Sequence, residues 1–208
     1  MHSALFHGST TEEKTSNAEK TTAHFPDAQK LHAKDIQDQR LSAAAALIQI
    51  SGHPLQTFTL ENAALEKLIA RTKQVLENGT MNDGSLNELR QIAIHYAKKG
   101  DLLYPHLKVQ YGISGPSAVM WTVDDEIRDE LNALAKQKDQ KETDAWKQRL
   151  NAVLTRMEEM IYKESNILFP NCALNFSEEE WYHIYRDAKD YAECFGIRGD
   201  SWEAAEAH

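Results

Sequence analysis

Cysteine is scarce in this chain: Cys172 and Cys194 are the only two in 208 residues, and they are in no CxxC spacing. That excludes a disulfide framework and points to a reducing cytoplasm. Positive charge is also in deficit. The net charge is -9 and the pI near 5.5, which argues against nucleic acid or an anionic membrane surface as partner. No run approaches the ~20 apolar residues that span a bilayer. The N-terminus has no basic stretch followed by an apolar one, so no signal peptide is expected. A nucleophile elbow, a phosphate-cradling glycine loop and paired Cys or His signatures are all missing, and the reading is therefore non-catalytic. Runs of strand-type alternation are absent too.

What is present is helical. Apolar residues make up 41% and charged residues 26%, enough for a core inside a polar shell. Residues 8–25 are polar, rich in Thr and Glu and without period, and are expected to form a flexible linker. An alanine-rich helix follows within 27–50, broken at Gly52. Apolar residues at spacings of three and four then predict four helices at about 54–77, 85–111, 117–138 and 142–168, the second interrupted near Gly100 and Pro105. Ser177 and Glu180 form a capping box at the start of a short closing helix. The prediction is an all-α, antiparallel, up-down four-helix bundle with extra N-terminal and C-terminal helices. Its expected parts are a leading segment (1–50), the bundle (51–197) and a frayed tail (198–208).

Several polar residues lie on the apolar stripes. Glu164 is seven residues after Met157 and three before Ile167. Asp124 is four after Met120 and three before Ile127. His95 is three after Ile92, and Glu61 is three after Phe58. His53 opens the first helix. Buried carboxylates pair, take a proton or bind a metal. Inward Glu, Asp and His from facing helices are how bundles build metal sites, and such a donor set suits iron, with zinc or manganese as competitors. Each residue also has a plainer reading. A histidine on an apolar stripe is often a hydrogen-bonded core residue, Asp124 borders an acidic run, and Lys163 or Lys98 is placed to pair with Glu164.

Two stretches look like copies: "HYAKKGDLLYP" (95–105) and "MIYKESNILFP" (160–170), 65 positions apart. With "GHPLQTFTLEN" (52–62), "GISGPSAVMWTVDDEIR" (112–128) and "EEEWYHIY" (178–185), in this order and spacing, they resemble the hemerythrin-like HHE cation-binding family. More closely, they are similar to a bacterial branch with an uncharacterised N-terminal domain and often a PAS sensor domain; "MHSALFHGS" (1–9) resembles the tail of that N-terminal domain. The resemblance implies a bundle with a metal site between its helices, His53 and His95 as ligands, and a role in binding or sensing iron, oxygen, nitric oxide or redox state.

Departures from the family pattern qualify that expectation. Gly100 and Ser165 stand where relatives commonly carry the glutamates that bridge two irons. Met160 stands where hemerythrins proper place a histidine, and Asp124 stands near an expected third-helix histidine. A single metal held by His53, His95 and Glu164, with Asp124 or Glu61 added, is then easier than a di-iron pair. An alternative is heme in a space opened by Gly100 and Ser165, with His95 and Met160 as axial ligands, though Met160 equally serves as core filler. The remaining alternative is a metal-free protein interaction module.

Overall fold

The computed structural model describes the backbone of residues 11–111 and 115–208, and the side chains of 28–108 and 117–208. The chain divides into two compact units at Arg40/Leu41. The stretch 1–9 that carries part of the family resemblance lies outside the described residues.

Helix α1 (Thr11–Ile48) is a single helix of 38 residues. Residues 11–25, expected as a linker, are therefore helical. Between Gly8 and Gly52 the chain has no glycine and one proline, Pro26, and its Glu, Lys and Ala residues favour helix even without an apolar period.

The second unit, Leu41–His208, holds the bundle. Its first helix is α2 (Pro54–Asn78). The second is built from α3 (Asp83–Arg90), α4 (Ile92–Lys98), a π-helical turn (Lys99–Leu103) and α5 (Tyr104–Tyr111). The third is α6 (Gly115–Lys136). The fourth is α7 (Asp144–Lys163), a second π-helical turn (Glu164–Leu168) and α8 (Phe169–Asn175). Helix α2 packs on α3 and α7, and α6 packs on the same two, which closes the four into a ring. The all-α architecture is as predicted, with no strand among the described residues. Nor is any described helix long and apolar enough to cross a membrane. Leu65, Ile69, Leu89, Ile127, Leu131, Leu150, Leu154 and Met157 fill the centre, each essentially without solvent contact.

The interruption expected near Gly100 and Pro105 is a widening of the helix, not an end. Proline has no N–H to give to the carbonyl four residues back, and its ring collides with that carbonyl. The chain relieves this by bonding one residue further. The Tyr104 N–H donates to the Lys99 carbonyl, and the Phe169 N–H donates to the Glu164 carbonyl. Pro105 and Pro170 follow these two donors directly. The sequence repeat is thus a repeat of one backbone device in two facing helices.

Beyond the ring, α9 (Glu178–Ala188) starts at the Ser177 cap, whose hydroxyl accepts from the Glu180 N–H at 3.2 Å. The tail does not fray as expected. Trp202 is buried against the rings of His53, Tyr182 and Tyr185, and a last short helix, α10 (Glu203–Glu206), follows it. Gly52, in the left-handed region at φ +79, lets the segment at Ser201–Trp202 lie against the start of α2. A Cβ there would meet the Ser201 carbonyl carbon at 2.4 Å.

Candidate functional site

The polar residues on the apolar stripes meet in the middle of the bundle. His95, on α4, is fully buried and uses both ring nitrogens. Nδ1 lies 2.8 Å from Glu61 Oε1 on α2, and Nε2 lies 2.6 Å from Glu164 Oε1 on the second π turn. A ring between two carboxylates donates from both nitrogens only as the imidazolium. Burial pulls its pKa down, but the charges and hydrogen bonds of Glu164 and Glu61 outweigh burial and raise it from 6.5 to about 8.

Two lysines complete the cluster. Lys99, fully buried, sends Nζ to Asp124 Oδ1 at 2.9 Å and to Glu164 Oε2 at 3.1 Å. Its ammonium also lies 4.5 Å from the centre of the Tyr96 ring. Lys98 donates to Glu61 Oε2. The Tyr104 hydroxyl donates to Asp124 Oδ2 at 2.8 Å, and Asn62 Nδ2 donates to Glu164 Oε1 at 3.3 Å. Burial raises Glu164, yet Lys99 and His95 overcome it and hold the carboxyl down at about 2. At Glu61 burial likewise pushes upward, and His95 with Lys98 leaves the net shift downward. Asp124 goes the other way. Burial lifts it to about 6, because Lys99 only partly offsets the loss of water and Glu164 repels it.

The formal charges close. Glu61, Asp124 and Glu164 are balanced by Lys98, Lys99 and the His95 imidazolium. A buried ion cluster persists only when charges and hydrogen bonds are matched in this way.

A further donor comes from outside the four helices. Cys194 is buried, and its sulfur and one donor atom each of Glu61 and His95 all lie within 4.8 Å of one another. It sits in the segment between α9 and α10, at a turn closed by pairing with Ile197 and shaped by left-handed backbone at Phe195 and Gly196. Burial, then the Glu61 charge, push its thiol pKa well up. A cavity of about 390 Å³ opens beside this group, with Pro54, Phe58, Glu61, Lys98 and Ile197 in its wall.

Of the residues singled out in the sequence, the fold brings His95, Glu61, Glu164 and Asp124 into one network. His53 is not in it. Its Nδ1 caps α2 by accepting the Leu55 N–H at 3.0 Å, and its ring packs 4.6 Å from Trp181 and 4.7 Å from Trp202. Its Nε2 is buried with no hydrogen-bond partner among the described residues. Met160 is fully buried, one turn before Glu164 on the inner face of α7. Gly100 and Ser165 do not face each other across a shared space. Ser165 is exposed, and a side chain added at Gly100 would meet the Trp121 indole at 3.6 Å. The expected opening for a tetrapyrrole is therefore not formed at these two positions.

Lys99, Tyr104, Asn62 and Cys194 were not singled out in the sequence. Lys98 and Lys99 lie three and four residues after His95, so their inward direction is implied once His95 is placed inside. Nothing local marks Cys194.

The donor set tests how a metal fits. On the Asp124–Glu164 side a lysine ammonium and a tyrosine hydroxyl already hold three of the four carboxylate oxygens, and His95 and Asn62 hold the fourth, so a cation does not fit there. On the Glu61–His95 side one imidazole nitrogen, one carboxylate oxygen and a thiol converge beside a cavity, and a single ion fits. No curated protein matches the chain. The model of the hemerythrin HHE cation-binding domain matches residues 53–172, more than half of the chain, and with this helical ring and its polar centre the conclusion is that the chain belongs to that family.

Proposed function

We propose that this chain is a metal-binding module that holds one ion, with the Lys99 ammonium standing as a built-in cation on the other side of the centre. Membership of a cation-binding family supports metal binding. The observation that carries the single-ion reading is Lys99 Nζ, fully buried and shared by Asp124 and Glu164. A second divalent ion would have to share those oxygens with an ammonium that already lies 2.9 and 3.1 Å from them in a fully buried centre. Both expected bridging positions are also without a carboxylate, at Gly100 and Ser165.

Iron is the proposed ion, by the family resemblance and the imidazole–carboxylate pair at His95 and Glu61. Bound there, it would supply redox chemistry and an open position for oxygen or nitric oxide, which suits a sensing role. The chain's own residues do the positioning: Glu164 holds the His95 ring, and Lys98 fixes one oxygen of Glu61.

Reconstitution with ferrous iron under argon, followed by metal analysis, tests this. One ion per chain, lost in H95A and E61A, is expected. Two ions per chain, with oxo-bridge absorption bands once the loaded protein is exposed to oxygen, would establish a di-iron centre. Failure to retain any ion would leave the metal-free interaction module, and a Soret band on heme addition would establish the heme alternative.

A further inference from the structure

We infer that Cys194 is a metal ligand, so that the ion of the single-ion reading sits in a mixed nitrogen, oxygen and sulfur site closed from outside the four-helix ring. The inference rests on that reading and adds a third donor from a segment that the family match, ending at residue 172, does not include.

Three observations meet at this point. The donor atoms of Glu61, His95 and Cys194 share a sphere small enough for one ion, since all lie within 4.8 Å of one another. All three residues are buried, so none has a solvent-exposed alternative. The polar groups around them are already arranged as supports. A metal-bound imidazole typically gives its other N–H to a carboxylate, which fixes the ring and strengthens the ligand. His95 has that geometry, with Nε2 2.6 Å from Glu164 and Nδ1 2.8 Å from Glu61. Glu164 is then a positioning residue rather than a ligand. Lys98 does the same for Glu61, holding Oε2 and leaving Oε1 on the His95 side.

The exchange balances. The entering divalent ion replaces the proton on His95 Nδ1 and the proton on the Cys194 sulfur, and both protons leave to solvent. The buried cluster keeps zero net charge, because two positive charges enter, one is lost from the imidazolium and one negative charge forms on sulfur. With three protein donors the ion retains an open position. The cavity has Glu61 and Lys98 in its wall, so of the three donors Glu61 borders open space. A thiolate donor favours borderline and softer ions, so this site takes zinc or cobalt as well as ferrous iron.

Cobalt(II) titration of the intact, reduced chain reads the sulfur directly. Expected is one equivalent bound, with an intense near-ultraviolet thiolate-to-cobalt charge-transfer band and protection of one thiol from a thiol reagent. In C194S the band disappears and cobalt affinity falls at least tenfold, while circular dichroism confirms that the helices remain. C172S, altered at the other buried cysteine, keeps the band. Cobalt bound by wild type through His95 and Glu61 without the charge-transfer band overturns the role of Cys194 and leaves the single-ion reading standing. No binding by wild type, or binding that survives both H95A and E61Q, overturns both.

Discussion

Lys99 and Glu164 hold equivalent places in the two copies of the repeat, and they pair with each other. Each opens a π-helical turn, the two are 65 positions apart, and their side chains meet at 3.1 Å in the middle of the bundle. Lys99→Met removes the positive charge between Asp124 and Glu164 and leaves the buried cluster with one negative charge in excess. Loss of one partner of a buried ion pair costs about 3–5 kcal/mol. Denaturant unfolding of K99M is expected to show a loss of that order, and K99M/D124N is expected to recover part of it.

His53 and His95, both buried, give opposite pH dependences in the metal-free protein. Burial lowers His53 from 6.5 to about 3. The unfolded chain therefore binds a proton below 6.5 that the folded chain refuses. Stability from this group is full above 6.5 and falls with acid, by roughly 5 kcal/mol down to pH 3. Thermal melts between pH 7 and 4 should show this slope in wild type and a flatter one in H53N, which keeps an N-cap acceptor.

His95 behaves in the other sense. Its folded pKa is raised to about 8 from 6.5, so its contribution is fully present below 6.5 and disappears as pH rises through 8. The amount is roughly 2 kcal/mol. A histidine NMR titration should find one ring with a midpoint near 8 in wild type, moved lower in E164Q.

Metal uptake should be strongly pH dependent. Replacement of the His95 and Cys194 protons releases about two protons per divalent ion at neutral pH. Calorimetry with zinc in buffers of different ionisation enthalpy is expected to give that count for wild type and about one for C194S.

Gly52 offers a test of how the outer segment is held. Its positive φ and the 2.4 Å approach to the Ser201 backbone leave no room for a methyl group. G52A is expected to loosen the segment around Trp202. The readout is faster reaction of Cys194 with a thiol reagent, with the bundle helices unchanged by circular dichroism.

The fold was legible because the apolar stripes of α2, α6 and α7 follow helical spacing and the breaks at 78–85 and 111–117 carry glycine, proline and asparagine. The centre was legible in part. Glu61, Asp124, His95 and Glu164 stand out because a carboxylate or imidazole on an apolar face has to be explained. Lysines do not stand out in the same way, since a lysine in a charged helix is ordinarily solvated, and Lys99 lies inside only because Asp124 and Glu164 are there to receive it. The tail read as frayed because Trp202 has no apolar period around it. Its burial comes from His53, Tyr182 and Tyr185, which arrive from distant parts of the chain. Cys194 was out of reach for the same reason: its neighbours Glu61 and His95 belong to other helices.

The paired π turns set a rule for how such a chain can change over generations. A perfect duplication would place the same side chain at both opening positions and force like charges into contact at the core. The two halves must therefore diverge at that point, and they must do so together: a change of sign at position 99 is tolerable only if position 164 changes sign as well. The repeat that makes the halves look interchangeable is what forbids exchanging them.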